Sequence, residues 1–481
     1  MPANASTMTT TSRASGTQLS IDDLARIRGK IIIRSDPEYD AARAVYNGAV
    51  DRYPLAIVRC VDVADVITCV TYARDNVLPL AMRGGGHHGG GFGVWDDALV
   101  VDLSGLRSTT VDPVAGTVRV DGGCVWGDVD HATGAFGMAL PSGFLSTTGV
   151  GGLTLGGGVG YLTRRFGLTV DNLVSADVVL ADGRFVTASA DSHPDLFWAL
   201  RGGGGNFGVV TSFTFRCHPV GEQGVIIGGP ILYDIADAED VFRWYRDLLP
   251  TLPDEVSAWI GVSQVPAAPP FPEHLWSRKV CITTWCYSGP HDRADEALAP
   301  IRDFGDPLLV GLAPMPYSVL QSAFDALIPK GLQWYWKVDI FEEITNDAIA
   351  AHRRFGEAIP TPLSTMHMYP ISGAAARVPE DATAFAYRNG GWVGVFTGID
   401  PDPANVPAAR SWAEQYWQEL HPTSAGGGYV NMMMENDGQN RVRAAYRGNY
   451  DRLVEIKRRY DPTNLFHINH NIPPSRGATR K

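Results

Sequence analysis

Cysteine is sparse in this chain. Six residues (Cys60, Cys69, Cys124, Cys217, Cys281 and Cys286) are scattered through 481 positions, and no Cys-x-x-Cys pair occurs. That excludes a disulfide scaffold and a zinc ribbon and favours a reducing compartment, so a cytoplasmic location is expected. Long apolar runs are missing as well: no stretch approaches the roughly 18 consecutive apolar residues that a helical membrane span requires. Runs of Lys or Arg are also absent, and 40 basic against 52 acidic residues leave a formal charge of −12. A phosphate-backbone partner would meet repulsion, so neither nucleic acid nor a membrane is an expected partner. The first twenty residues are polar and rich in Thr and Ser, with no apolar core of a signal peptide; a disordered tail is expected there.

Glycine is what the chain has in quantity. Its 53 glycines gather into three clusters: RGGGHHGGGFG (Arg83 to Gly93), GVGGLTLGGGVGYLTRRFG (Gly149 to Gly167) and RGGGGNFG (Arg201 to Gly208). Around them the pattern predicts a strand over Ile31 to Arg34, a helix opened by Asp36-Pro37 and a strand at PLAIVRC. A helix with Val66, Val70 and Ala73 on one face follows, then a strand running into the first cluster. Further on, ALVVDLSGL and TVRVDGG read as strands, WGDVDHATG as a helix, SADVVLADGRFVTAS as a hairpin turning at Ala181 to Gly183, and VVTSFTFRC as a strand. Near Pro219 glycine thins and Trp, Pro and amphipathic helices take over until about residue 420. The expected units are therefore 1–20 (tail), 21–218, 219–420, and a segment 421–481 that returns to the first domain with a strand and a helix ending before Asp461-Pro462.

So much ordered glycine costs chain entropy, which something bound must offset. Main-chain N–H groups at three points suit one extended ligand with phosphates, a nucleotide cofactor. Gly84, Gly86 and Gly89 match the dinucleotide fingerprint, but the fingerprint needs a helix next, and GGFGVWDDALVVDL reads as a turn and a strand. No P-loop segment occurs. The plain alternative is that the clusters are only tight turns.

In order and spacing, RGGGHHGGG, PSGFLSTTGVGGLTLGGGVGYLTRRFGLTVDNLVSADVVLADG, HPDLFWALRGGGGNFGVVTSFTF and YDRLVEIKRRYDPTNLFHINHNI resemble the berberine bridge enzyme-like FAD-linked oxidases of the vanillyl-alcohol oxidase flavoprotein family. The likeness covers about residues 50 to 220 and the C-terminus, and only loosely 220 to 420. It implies an α+β protein: a two-part FAD-binding domain of the vanillyl-alcohol oxidase type plus an α+β substrate domain with an antiparallel sheet. It implies FAD as cofactor, covalently attached through His87 of the Arg-Gly-Gly-His pattern. Further contacts are implied from Arg83, Gly84, Gly85, Gly86 and His88; from Thr147, Thr148, Gly149, Gly151, Gly152, Gly156, Gly157 and Gly158; from Gly208, Val209 and Val210; and from Asn469 and Asn471. Some members attach the flavin a second time through a cysteine; Leu145 stands there, so a single link is expected. Thr148 stands at the position associated with oxygen access, where an aliphatic residue is usual. A metal site at His87-His88 lacks any companion Asp, Cys or His at ligand spacing, and none is expected.

A flavin accepts hydride, so the protein has to place a C–H and receive a proton. The resemblance carries its Tyr-x-Asn signature to Tyr429 and Asn431, and strand alternation in YVNMMMEN would put both on one face; Tyr429 is the leading candidate base. After the Arg388-Asn389-Gly390 turn, where the family places another polar catalytic group, the chain reads WVGVF and offers none. In LQWYWKVDIF, Trp334, Trp336, Val338 and Ile340 form an apolar face, expected to be core, while Tyr335 and Lys337 face either the active-site cavity or solvent. In STMHMYPISG, His367 and Tyr369 share a face and are candidates for binding a polar or aromatic substrate. The expected function is an FAD-dependent oxidase acting on a CH–OH or CH–NH group of a small organic substrate, with molecular oxygen as acceptor and hydrogen peroxide as product. A dehydrogenase using another acceptor, a non-catalytic flavin carrier and a metal-dependent binding protein compete with it. Nothing in the sequence assigns an oligomeric state.

Overall fold

The computed structural model describes residue 24 and residues 26–474; the tail expected over residues 1–20 lies outside the described residues. The first sheet joins β1 (Lys30–Ile33), β2 (Ala56–Arg59), β3 (Leu80–Arg83) and β4 (Leu99–Asp102) in the order β1-β2-β4-β3. β4 runs parallel to both β2 and β3, and all four of its residues are buried, as in a parallel strand covered on both faces. The helix Val63–Asp75 crosses between β2 and β3. Asp62 caps it by accepting from the Asp65 N–H, and it buries Val66, Val70 and Ala73, the face their spacing predicts. β3 ends at Arg83, so the first glycine cluster leaves the sheet at a strand's carboxyl end.

The second sheet is antiparallel, with β5 (Thr109–Asp112), β6 (Thr117–Asp121), β8 (Leu173–Val179), β9 (Phe185–Ser189) and β10 (Val209–Arg216) in the order β5-β6-β10-β8-β9. A short ribbon of β7 (Met138–Ala139) with β11 (His218–Pro219) stands beside it. The hairpin between β8 and β9 closes where expected: Gly183 takes φ +85° and its N–H reaches the Leu180 carbonyl at 2.9 Å.

Eight strands form the third sheet: β12 (Val225–Asp234), β13 (Val256–Gln264), β14 (Lys279–Tyr287), β15 (Leu309–Val310), β16 (Ala313–Pro316), β17 (Gln333–Phe341), β18 (Thr365–Ile371) and β19 (Gly391–Asp400). The order is β15-β12-β14-β13-β18-β19-β17, with β16 also on β12, and all pairs are antiparallel. Helices Ala238–Leu248, Asn346–Glu357 and Val406–Leu420 pack on one face. The other face joins one core with the second sheet and the glycine clusters.

After residue 420 the chain returns to the glycine-rich part. Lys457 on the helix Tyr450–Tyr460 is fully buried; its Nζ donates to Asp461 at 2.6 Å and to the Asn206 and Phe466 carbonyls, each at 2.8 Å. This ties the third glycine cluster to the C-terminal segment. The strand expected at YVNMMMEN does not form. Val430–Met432 and Glu435–Asp437 are single 3-10 turns, because the Met432 N–H bonds back to the Tyr429 carbonyl and the Met434 N–H to the Asp437 carboxylate, and no neighbouring strand offers a ladder.

Candidate active site

A cavity of about 430 Å3 runs from the glycine clusters to the inner face of the third sheet. At the glycine end two clusters touch through bare backbone: a Cβ on Gly85 would stand 2.4 Å from the Gly149 nitrogen, so neither position admits a side chain. Gly86 takes φ +66° and turns the chain there. Arg83, Gly84, Gly85, Gly86, Thr148, Gly149, Gly151, Gly152, Gly208, Val209, Val210 and Asn469 all reach the cavity wall. Arg83 is held by Asp102 at 2.7 Å.

His87 and His88 diverge as expected. The His87 ring stacks on Tyr46 with centroids 3.6 Å apart, and its Nε2 meets Thr147 Oγ1 at 2.9 Å, while Nδ1 makes no hydrogen bond to the described residues. Thr147 thus acts behind the wall, on the histidine. His88 Nδ1 accepts from the Gly90 N–H at 3.1 Å, and its ring is wedged against Phe92 and His470. Burial pulls His87 and His88 down to about 3 and His470 to about 4, so all three are neutral near pH 7. Arg83 is the one charged side chain among the described residues lining the cavity.

Gly156, Gly157 and Gly158 do not line the cavity; they make room for the machinery behind it. Asn431 packs directly on Gly156, Phe385 on Gly157, and the Gly158 N–H donates to Tyr429 Oη at 2.9 Å. Asn431 Nδ2 donates to the same oxygen at 2.8 Å. Both lone pairs of a neutral Tyr429 are therefore filled, and burial pushes its pKa up. A phenolate at Tyr429 has a further lone pair, and these two donors favour that form against the burial that opposes it, so the geometry is compatible with the base role expected of Tyr429. Tyr429 and Asn431 still meet and both line the cavity.

At the far end, β18 brings Thr365, His367 and Tyr369 into the wall beside Phe144 and Trp259. For β17 the expected faces are exchanged. Trp334 and Trp336 line the cavity, whereas Tyr335 and Lys337 point away, buried beneath the helix Val406–Leu420 and the C-terminal segment. Tyr335 donates to Glu414 at 2.7 Å and Lys337 pairs with Asp437 at 2.9 Å. Both faces of this sheet are covered, so a polar face marks neither solvent nor site. Asn471 belongs to a neighbouring cavity of about 310 Å3. Sequence reasoning missed Tyr46, Asp102, Phe144, Trp259 and Thr365. Thr365 shared the alternation of His367 and Tyr369 and was legible; the others come from distant segments.

The residues fit a dinucleotide such as FAD: bare backbone where phosphates would lie, apolar walls, and Asn469 Oδ1, Trp334 Nε1 and Trp336 Nε1 buried in the wall without a partner among the described residues. No cluster of three or more His, Cys, Asp or Glu that could hold a metal occurs among the described residues, nor a helix long and apolar enough to cross a membrane.

Comparison with known proteins agrees with this site. The family description "FAD binding domain" matches residues 54–189, and "Berberine and berberine like" matches residues 428–473. An uncharacterized FAD-linked oxidoreductase of Bacillus subtilis is 31% identical over 460 residues, covering 94% of this chain and 98% of that protein. The (R)-6-hydroxynicotine oxidase of Paenarthrobacter nicotinovorans is 29% identical over 467 residues, 93% and 97% of the two chains. Among solved structures, 6-hydroxy-D-nicotine oxidase from Arthrobacter nicotinovorans superposes with a TM-score of 0.82 at 26% identity, covering 93% of this chain and 98% of its own. The berberine bridge enzyme-like 1 protein of Physcomitrella patens superposes at 0.83 with 24% identity, over 95% and 99%.

Proposed function

The chain belongs to the FAD-linked oxidoreductases of the berberine-like type, and from that premise we propose that it is an oxidase whose flavin is bound covalently through His87. The observation that carries this reading is the continuous cavity that joins three glycine clusters and His87 to the aromatic face of the third sheet. Bound FAD would supply a hydride acceptor for a CH–OH or CH–NH group and, on reoxidation by molecular oxygen, the source of hydrogen peroxide.

The residues have separable tasks in this reading. His87 is neutral, its Nε2 is engaged by Thr147, and its Nδ1 is the nitrogen available for a bond. Tyr46 fixes the ring plane by stacking on it. Main-chain N–H groups around Gly84, Gly85 and Gly149 suit phosphate oxygens, which no side chain could approach there. Tyr429, its oxygen held by two donors that also stabilise a phenolate, is the candidate base and a support for the Gly158 turn. The far end, lined by Phe144, Trp259 and Tyr369, offers an apolar aromatic surface for the substrate. Six free buried cysteines support a cytoplasmic setting.

One observation favours a second reading. Thr148 lines the cavity at the position associated with oxygen access and is polar, which suits a dehydrogenase with another electron acceptor. Reducing the purified protein with dithionite under nitrogen and mixing it with aerated buffer decides between them. An oxidase regains its yellow colour within seconds and forms one peroxide per flavin. Recovery over many minutes would instead assign a dehydrogenase.

A further inference from the structure

The far end of the cavity has a hydrogen-bond polarity that can be read from its protons. Thr365 Oγ1 donates to the Val262 carbonyl at 2.9 Å, and a carbonyl offers no proton in return. The single hydroxyl proton of Thr365 is thereby committed, so the 2.9 Å contact between Thr365 Oγ1 and His367 Nε2 has to be made by a proton on Nε2. Burial pulls His367 down to about 3, so it is neutral and carries that one ring proton only. Its Nδ1 is then a bare acceptor, and the 2.8 Å contact with Tyr369 Oη consumes the Tyr369 proton. Tyr369 consequently faces the cavity with oxygen lone pairs and no proton.

The surroundings are flat and uncharged. Phe144 stacks on Tyr369 with centroids 4.2 Å apart and an interplanar angle of 18°, and Trp259 stands 4.6 Å from the His367 ring. No Asp, Glu or Lys lines the cavity among the described residues, and its Arg83 is paired with Asp102. A charged ligand would lose its hydration there without a counter-ion.

We propose that this chamber selects an electrically neutral, planar aromatic molecule that presents a hydrogen-bond donor, its hydroxyl received by Tyr369, with His367 as the positioning residue that holds Tyr369 in its acceptor state. This rests on the oxidase reading above and names its substrate class: aromatic alcohols, ahead of carboxylates and protonated amines. A carbonyl product lacks the donor, so the contact that admits the alcohol does not retain its product.

The test uses the flavin-loaded full chain and three probes that are not substrates for alcohol oxidation: 2-naphthol (neutral, donor), 2-methoxynaphthalene (neutral, acceptor only) and 2-naphthoate (anionic). Binding is read from the change in flavin absorbance. The wild-type protein should bind 2-naphthol about tenfold more tightly than either other probe. Tyr369→Phe should reduce the margin over the ether to less than threefold while naphthoate stays weak. His367→Leu frees the Tyr369 proton to point into the cavity, so the ether should gain and the margin narrow or reverse. A histidine that only fills space would weaken both neutral probes alike. The proposal is overturned if wild type does not bind 2-naphthol, if the ether or naphthoate binds as tightly, or if the margin survives Tyr369→Phe. The wild-type comparison stands alone should a variant fail to fold. Flavin content separates the two levels: a preparation without flavin defeats the oxidase reading, whereas a flavin-loaded protein indifferent to the hydroxyl defeats only this inference.

Discussion

At the scale of single residues, the chemistry turns on which atoms still have a lone pair or a proton to give. Tyr429 accepts from Gly158 N–H and Asn431, so its removal strands a buried donor as well as taking away the candidate base. Tyr429→Phe should cost about 1–3 kcal/mol of stability, from the orphaned Gly158 N–H, and, with the base removed, on the order of a hundredfold or more in turnover. A Tyr429 with a purely structural role would show the same loss of stability but less than about tenfold in turnover. A urea midpoint measured beside the rate of flavin bleaching tells the two apart. The Tyr-x-Asn signature was legible in the sequence as a pair that meets, but its job was not, because that depends on the Gly158 N–H, 271 residues away.

At the scale of elements, turns carry the site as much as strands do. The approach of Gly85 to Gly149 is closer than any side chain tolerates. Gly85→Ala should separate the first two clusters and lose most of the bound flavin, measured as flavin per protein after gel filtration, while far-ultraviolet circular dichroism stays near wild type. Full flavin retention would mean that the contact is not part of the cradle. The glycine clusters, the helix Val63–Asp75 and the β8–β9 hairpin were readable because local spacing and turn chemistry decide them. The faces of β17 were not. Alternation separated Trp334 and Trp336 from Tyr335 and Lys337 correctly, but the helix Val406–Leu420 covers the polar face and leaves the aromatic one to the cavity. YVNMMMEN read as a strand because its residues alternate, whereas local bonds to the Tyr429 carbonyl and the Asp437 carboxylate wind it into turns.

At the scale of the whole molecule, several histidines are buried neutral, and stability inherits their titration. His352 is fully buried, bonded to Tyr416 at 2.6 Å, and pulled down to about 3. Its folded pKa lies below the ordinary value near 6.5, so the unfolded chain takes up a proton first as pH falls. Its contribution is complete above about pH 6.5 and lost between there and about pH 3, at roughly 1.4 kcal/mol per pH unit. His352→Phe should therefore lose stability less steeply than wild type between pH 6 and 4 in urea titrations; parallel slopes would contradict its burial as a neutral ring. The difference between variants is the clean quantity, because Asp130, a buried acid pushed well above its usual range, titrates with the opposite sign. The central claim is more direct still: a flavin oxidase with its cofactor fixed at the first glycine cluster. Acid precipitation of the purified protein, followed by the mass of the peptide spanning Arg83 to Gly93, tests it in one step. The account predicts a yellow pellet and that peptide heavier by one FAD, with the added mass on His87 and lost in His87→Ala. A colourless pellet with the flavin in the supernatant would contradict the covalent role of His87, and no flavin in either fraction would contradict the account as a whole.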